Sequence, residues 1–341
     1  MLLYDGAVKY IHYMSRPRPF LFLTIIVIEC VVLIGLGAFI VFRYQRYREP
    51  VVIPIRRDQV EVPSGSTLSY FYTYKPNQDL IYTASFSPIT VTNKTNADGL
   101  VDRFDYAVPK PKDVFRIVAV GDSFTQGVFV NTEESFPERT EDLLARTVAD
   151  NARRIEVLNF GVGGYDIEYA SQRLRLLGMK YVPDLVVWLQ KFDDYYHINE
   201  RTPVARGSFN DELISAGIPH YSKELETFLM LPHILGEELV KQRAIESALH
   251  YQKSRFMEVR SFYRGPILIV TLADSGALLD DVISSVQRLD KGIYTIQIQE
   301  EISRFPDSHP DQEGHRTIAE AVAVWVTEYL KSSASSSGTM W

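Results

Sequence analysis

The sequence contains a single cysteine, Cys30, among its 341 residues. One thiol excludes an intrachain disulfide and any metal site built from several thiolates. Positive charge is outnumbered by negative charge in most of the chain. Residues 1–50 carry six Lys or Arg and three Asp or Glu, whereas the other 291 residues carry 30 and 40. This acidic body argues against a nucleic-acid partner, because binding to phosphates needs clustered Lys and Arg.

One long apolar run lies near the start of the chain, at residues 20–42. As a helix with a rise of about 1.5 Å per residue it would extend about 35 Å, enough to cross the roughly 30 Å hydrocarbon layer of a bilayer. The run is longer than the core of a signal peptide, and no small-residue cleavage site follows it in residues 43–49. We therefore predict an N-terminal tail over residues 1–19 and a retained transmembrane helix over residues 20–42. The alternative is a buried core helix.

Residues 43–112 are interpreted as a linker followed by a small β-rich flap. Short segments with alternating side chains, at residues 60–62 and 69–74, predict edge strands. The Pro-Asn pair in residues 75–77 and the Asn, Asp and Gly of residues 96–99 predict turns. We expect this flap to pack against the domain that follows it.

From residue 113 onward, apolar strands alternate with amphipathic helices, which is the pattern of a doubly wound parallel sheet. The predicted strands cover residues 117–120, 155–160, 184–189, 267–272 and 293–298, and the predicted helices cover residues 133–149, 167–177 and 317–330. The pattern predicts an α/β domain over residues 113–331, a flavodoxin-like three-layer sandwich around a five-stranded parallel sheet. A helix-rich insertion at residues 199–250 is expected to cover one edge of that sheet. The Ser-rich tail, residues 332–341, is expected to be disordered.

Polar residues and glycines follow the predicted strands at the edge where their carboxyl ends meet. Because ligands of open α/β sheets bind at that edge, these residues are candidates for a site. They are Ser123 after the first strand, Gly163 and Gly164 after the second, Asp193 and Asp194 after the third, and Asp307 and His309 before the last helix. A serine becomes a nucleophile when a histidine accepts its proton and a carboxylate orients that histidine. The alternative for Ser123 is a helix N-cap after a core strand.

Three blocks of the sequence resemble the signature blocks of the SGNH (GDSL-type) hydrolases. The blocks are GDSFTQG at residues 121–127, NFGVGG at residues 159–164, and DSHP at residues 307–310 followed by Gly314-His315. The resemblance covers about residues 115–330. It implies hydrolysis or transfer of an acyl ester by a serine nucleophile, with no metal and no cofactor. The implied substrates are ester-bearing small molecules, O-acylated glycans, O-acetyl esters above all, or lipids.

The resemblance also implies roles for individual residues. Ser123 would be the nucleophile, His309 the proton shuttle and Asp307 the residue that orients the histidine. The oxyanion would be held by the N–H groups of Ser123 and Gly164. The third oxyanion donor of the family is an asparagine, and this chain has Asp193 in its place. Asp122 and Asp194 would support the site.

The carboxylate of Asp193 leaves a second function open. An ionised side chain would repel the oxyanion, and losing one neutral donor costs about 10²–10³ in turnover. Either another group compensates, or the chain is a degenerate SGNH-fold protein that binds a glycan or a protein partner without catalysis. The substitution Asp193→Asn separates the two, because only an enzyme would gain rate. A nucleotide-binding protein of the flavodoxin type is disfavoured, because no phosphate-binding Gly-rich loop or Walker lysine is present.

Two arguments give opposite predictions for the side of the membrane on which the main domain lies. One uses the positive charges that flank the apolar run, and the other uses the function that the resemblance implies. The arginines after residue 42 favour a cytoplasmic domain. Members of the resembling family with such an anchor mostly act on envelope or extracellular polymers. We therefore expect a single-pass membrane protein whose main domain is extracytoplasmic.

Overall fold

The structure is a computed structural model. It describes residues 19–46, 59–61, 63–66, 68, 71–83, 89–147, 153–191, 194, 253–273, 284, 286–288 and 290–337. The chain divides into two compact units, Met1–Pro50 and Val51–Trp341, which are described separately. The predicted insertion at residues 199–250 and the candidate residue Asp193 lie outside the described residues.

The first unit contains one helix, α1, which covers Pro19–Arg46. The side chains described in it, at residue 23 and residues 25–40, are exposed. No helix formed by the described residues is long and apolar enough to span a bilayer. Helix α1 includes the predicted residues 20–42, and its crossing of a membrane stays a prediction.

The second unit is built on a five-stranded sheet in which all neighbouring strands are parallel. Its strands are β5 (Val114–Gly121), β6 (Arg154–Gly161), β7 (Leu185–Leu189), β8 (Ile267–Leu272) and β9 (Ile293–Ile298), after four short strands that precede them in the chain. The order across the sheet is β6-β5-β7-β8-β9. The chain therefore reverses its direction of winding at β5, as in flavodoxin-like folds. The predicted α/β fold with a five-stranded parallel sheet is confirmed.

Helices cover both faces of this sheet. They are α2 (Ser123–Gln126), α3 (Phe136–Thr147), α4 (Ile167–Arg173) and α5 (Gln312–Ser337), and residues 253–262 are also helical. Successive side chains of β5 point to opposite faces, so that Val118 and Val120 pack in the core under α4, whereas Ile117 and Ala119 pack in the core under α3 and α5. The result is the three-layer arrangement expected from the sequence.

The β-rich segment before the sheet differs in detail from its prediction. Strands β1 (Val60–Glu61) and β2 (Thr73–Tyr74) form one short antiparallel pair. A second pair, which the sequence analysis missed, is the hairpin of β3 (Asp79–Thr83) and β4 (Thr90–Lys94). Both strands alternate buried and exposed residues in the structure, but the sequence hides this alternation, because Ile81 is exposed and the polar Asn93 is buried.

A third apolar core joins this β-rich segment to the sheet domain. Phe71, Tyr72 and Tyr82 pack there with Phe129 and Tyr165, which follow β5 and β6. The segment therefore packs on the loops at the carboxyl ends of those two strands, which is also the edge where the candidate site lies.

The prediction of disorder from residue 332 onward is wrong for residues 332–337. Helix α5 continues to Ser337. The hydroxyls of Ser332 and Ser333 donate to the carbonyl of Tyr329, at 2.9 and 2.8 Å. Serine side chains that bond back to the preceding turn are compatible with a helix, and this local bonding is not visible in composition alone.

Candidate active site

Ser123 lies at the carboxyl end of β5, where the strand order reverses. The N-cap of α2 is Asp122, whose Oδ1 accepts a hydrogen bond from the Phe124 N–H at 2.9 Å. Ser123 is thus the first residue of the helix and is not needed as its cap. The sequence left Ser123 as either a nucleophile or a helix N-cap. Because Asp122 is the cap, the Ser123 hydroxyl is not used in capping.

The imidazole of His309 lies between Ser123 and Asp307. Its Nε2 is 2.9 Å from the Ser123 Oγ, and its Nδ1 is 2.8 Å from Asp307 Oδ2. A carboxylate only accepts hydrogen bonds, so a neutral imidazole in this position carries its hydrogen on Nδ1. The lone pair of Nε2 then faces the serine hydroxyl, as a general base requires.

A tight turn explains why the carboxylate two residues before the histidine can reach it. Ser308 has a φ of 76°, in the left-handed region that is uncommon for a residue with a side chain. The turn is closed by a bond of 2.9 Å from the Ser308 N–H to the Phe305 carbonyl. Asp307 then accepts from both the backbone N–H of His309, at 3.1 Å, and its ring Nδ1. One carboxylate therefore fixes the position and the orientation of the imidazole.

Aromatic rings flank the same imidazole. The ring centroid of His309 is 5.2 Å from that of Phe124 and 5.4 Å from that of Phe129. Phe129 in turn makes an edge contact with Phe305, at 6.2 Å. These contacts restrict the rotation of the imidazole and exclude water from part of its surface.

The loop that carries Gly164 begins where β6 meets helix α2. Gly161 packs so closely on this helix that a Cβ at residue 161 would lie 2.1 Å from the backbone nitrogen of Gln126. Gly164 itself has a φ of 76°, and no atom lies within 4 Å of the place where its Cβ would be. This backbone conformation favours glycine and leaves open space beside residue 164.

Gln126 holds this loop against the β-rich segment. Its Oε1 accepts from the Gly163 N–H at 2.7 Å and from the Tyr74 hydroxyl at 2.9 Å. Its Nε2 donates to the Tyr82 hydroxyl at 2.9 Å and to Asn93 Oδ1 at 3.0 Å. All four hydrogen-bonding positions of the amide are used, and the side chain is fully buried. Gln126 lies inside the GDSFTQG block, but its sequence position gave no sign of this role.

The two candidate supporting residues, Asp122 and Asp194, have different contacts. Asp122 Oδ2 is 3.4 Å from the Ser123 Oγ and 2.7 Å from the Lys191 Nζ. Asp194 Oδ2 accepts from the Lys191 backbone N–H at 2.7 Å. Asp122 therefore contacts the Ser123 hydroxyl directly, whereas Asp194 contacts the segment that follows β7. The structure gives no position for Asp193.

A cluster of acidic groups that the sequence analysis missed lies where the turn after β4 meets α3 and β6. Asp102 Oδ1 accepts from the Tyr106 hydroxyl at 2.9 Å, and Glu141 Oε2 accepts from the Val157 N–H at 2.6 Å. Burial raises the pKa of Asp102 to about 6 and that of Glu141 to about 7. Burial, with the nearby Asp102, also raises the pKa of Glu138 well above its ordinary value. The side chain of Glu138 also accepts from the backbone N–H of Arg103 at 3.0 Å, so the cluster is tied to the turn after β4.

His315, the second histidine of the third block, has a structural role. Its Nδ1 accepts from the Phe136 N–H at 3.2 Å, at the start of α3. Burial lowers the pKa of His315 to about 3, so the imidazole stays neutral at physiological pH. Within the described part of the chain, no three His, Cys, Asp or Glu side chains are grouped so that they could hold a metal ion.

Comparisons with known proteins find similarity only among solved structures. The sequence matches no protein-family model and no curated protein. A family 3 carbohydrate esterase of Clostridium thermocellum is 14% identical at a TM-score of 0.38, with 65% of this chain and 99% of that chain covered. A lipase from a goat rumen metagenome is 16% identical at a TM-score of 0.41, with 62% and 96% covered. A two-domain esterase active on acetylated mannans is 15% identical at a TM-score of 0.40, with 63% and 49% covered. Each of these similar proteins is an esterase or a lipase.

Proposed function

We propose that the chain is a serine esterase or acyltransferase in which Ser123 is the nucleophile, His309 the general base and acid, and Asp307 the residue that orients the imidazole. The observation that carries the proposal is the continuous path of hydrogen bonds from the Ser123 Oγ through both ring nitrogens of His309 to Asp307. The path lies at the carboxyl edge of a parallel sheet, where substrates of such folds bind.

In the first half of the reaction, the Ser123 Oγ attacks the carbonyl carbon of the ester while its proton moves to His309 Nε2. The imidazolium that forms is stabilised by Asp307, which keeps its negative charge. When the tetrahedral intermediate collapses, the C–O bond to the alcohol breaks and His309 returns the proton to the leaving oxygen. An acyl ester of Ser123 remains.

In the second half, His309 takes a proton from water or from an acceptor hydroxyl, which attacks the acyl-enzyme. Water yields hydrolysis, and an acceptor hydroxyl yields transfer. The Ser123 oxygen leaves and recovers its proton from His309. The same imidazole thus serves as base and acid in each half.

The negative charge on the carbonyl oxygen needs donors that already point at it. We propose the backbone N–H groups of Ser123 and Gly164 for this role. The left-handed backbone of Gly164 and the open space beside it support this assignment. One such donor is typically worth a factor of about 10²–10³ in turnover.

The substrate and the location are proposed on sequence grounds. The resemblance to the SGNH hydrolases supports an O-acyl ester, in particular an O-acetyl ester, of a glycan or a lipid. The apolar run of residues 20–42 supports a single-pass anchor, with the main domain outside the cytoplasm. Protease treatment of intact cells tests the orientation, because only an external domain is degraded while the membrane is closed.

Labelling with a fluorophosphonate probe tests the proposed chemistry in the full-length protein. We expect the wild type to react and Ser123→Ala to lose at least about 10³-fold in reactivity. Ser261→Ala is the matched control, because the exposed Ser261 hydroxyl donates to the carbonyl of Glu258 in its own helix. A wild type that stays unlabelled, or a Ser123→Ala variant that labels equally well, would contradict the enzyme and favour the non-catalytic binding protein. A panel of acetyl and longer acyl esters then identifies the acyl group.

A further inference from the structure

Asp122 places a second hydrogen-bond acceptor next to the nucleophile. The Ser123 hydroxyl has one hydrogen, and it faces His309 Nε2 at 2.9 Å and Asp122 Oδ2 at 3.4 Å. Only one of the two acceptors takes a linear bond at a time. When the hydrogen points to Asp122, the imidazole has no proton to abstract and attack cannot begin. An uncompensated carboxylate at this position would also disfavour negative charge on the oxyanion.

The side chain of Lys191 is bound to this competing oxygen. Its ammonium is 2.7 Å from Asp122 Oδ2, and the two side chains are only 18% and 7% exposed. Solvent therefore screens the pair less than a surface ion pair. The other oxygen, Oδ1, accepts the Phe124 N–H that caps α2. Both oxygens of Asp122 are thus engaged by donors other than the serine.

Three contacts fix the position of Lys191. Lys191 lies two residues after the end of β7 at Leu189. Its backbone N–H donates to the Asp194 carboxylate. Its ammonium lies 4.3 Å from the ring centroid of Phe124, in cation–π contact. The lysine is therefore held beside Asp122 by its backbone, by an aromatic ring and by the ion pair.

We propose that Lys191 is a positioning residue that occupies the Asp122 carboxylate, so that the Ser123 hydroxyl donates to His309. The inference rests on the proposed function and extends it, because Lys191 acts through Asp122 and does not touch the ester. Charge on the ammonium weakens Oδ2 as an acceptor for the serine and compensates its negative charge near the oxyanion. Asp122 keeps its capping role through the other oxygen.

A double-mutant cycle on full-length protein tests this relation, with p-nitrophenyl acetate as a neutral ester. We expect Lys191→Met to lower kcat by about tenfold, with KM changed less than about twofold, because the substrate contact is untouched. In the Asp122→Asn background, the same Lys191→Met change should alter kcat by less than about twofold, since the charge that Lys191 compensates is gone. Lys191→Arg should recover kcat to within about threefold of wild type.

Rates are expressed per active site, titrated with the fluorophosphonate, so that loss of folded protein is not counted as loss of catalysis. A Lys191→Met variant as fast as wild type overturns the inference, although the proposed function stands. An equal loss in the wild-type and Asp122→Asn backgrounds also overturns it, because the lysine would then act on the ester or its oxyanion directly. A wild type that does not react with the probe removes the proposed function, and this inference with it.

Discussion

Replacing Gln126 by leucine should both destabilise the fold and slow acylation, because this amide joins the β-rich segment to the loop of Gly164. Leucine fills a similar volume but offers no hydrogen bond to the four partners of the amide. The Tyr74 and Tyr82 hydroxyls are 3.5 Å apart and can bond to each other after the change. The Gly163 N–H and Asn93 Oδ1 lose a buried partner with no replacement among their contacts.

The magnitude follows from those two groups. Leaving a buried polar group unpaired costs about 1–3 kcal/mol, so we expect Gln126→Leu to lower the free energy of unfolding by about 4 kcal/mol. Since Gly163 precedes the proposed oxyanion donor, a displacement of about 1 Å in this loop should lower kcat by about 10²-fold. The free energy of unfolding is measured by urea titration of the full-length chain, and kcat on a neutral acetyl ester per titrated active site.

Gln59→Leu is the matched control. The Gln59 Nε2 donates to the Asp79 carbonyl at 3.1 Å in an exposed position of the same β-rich segment. We expect this change to alter stability by less than about 0.5 kcal/mol. If Gln126→Leu were as stable as Gln59→Leu, the Gln126 amide would not be what holds the β-rich segment to the loop that carries Gly164. If Gln126→Leu were unstable but kept full kcat, the bond from Gln126 to Gly163 would not be needed to position the loop that carries Gly164.

Three other changes have defined outcomes. Burial raises the folded-state pKa of Glu141 to about 7. The carboxyl therefore stabilises the fold fully below its unfolded-state pKa, and this stabilisation is lost as pH rises through about 7. Glu141→Gln should remove this effect and flatten the dependence of stability on pH. In the wild type, the free energy of unfolding should fall between pH 5 and pH 8 by up to about 3 kcal/mol because of Glu141, as urea unfolding at the two pH values would measure. Ser308→Gly should keep kcat and the left-handed turn, whereas Ser308→Val should destabilise the fold by more than about 1 kcal/mol and lower kcat. Gly161→Ala should prevent stable folding, because its Cβ would overlap the backbone of α2, as thermal denaturation would show.

Each of these expectations has a result that contradicts it. Equal slopes of stability against pH in wild type and Glu141→Gln would mean that the carboxyl is not protonated in the folded state. Full activity of Ser308→Val would show that the turn tolerates a β-branched residue and that the Asp307–His309 geometry does not depend on it. A Gly161→Ala variant with wild-type melting temperature would show that β6 and α2 can separate at no cost.

The sequence by itself determined the sheet and the positions of the candidate residues along it. Strands β8 and β9 begin and end where they were predicted. Strand β8 is a short, fully buried and mainly apolar run, which has sharp boundaries in the sequence. The edge strand β9 is only partly buried, and its apolar residues at positions 294, 296 and 298 alternate with Thr295 and Gln297. Ser123 and His309 were selected because they follow or precede such elements, and a parallel sheet brings those places to one edge. Local signals missed the hairpin of β3 and β4, and they were misleading in the tail, where serine side chains bond back to the helix and α5 continues to Ser337.

Only the tertiary structure decided which distant side chains meet. The bonds of Gln126 to Tyr74 and Tyr82 and the ion pair of Lys191 with Asp122 join residues that are more than 30 positions apart. Periodicity and propensity record what each segment prefers locally, but they carry no information on which segments become neighbours. The preference of a segment is fixed by its own side chains, whereas a buried pair exists only after the sheet has folded and water has been excluded from both partners.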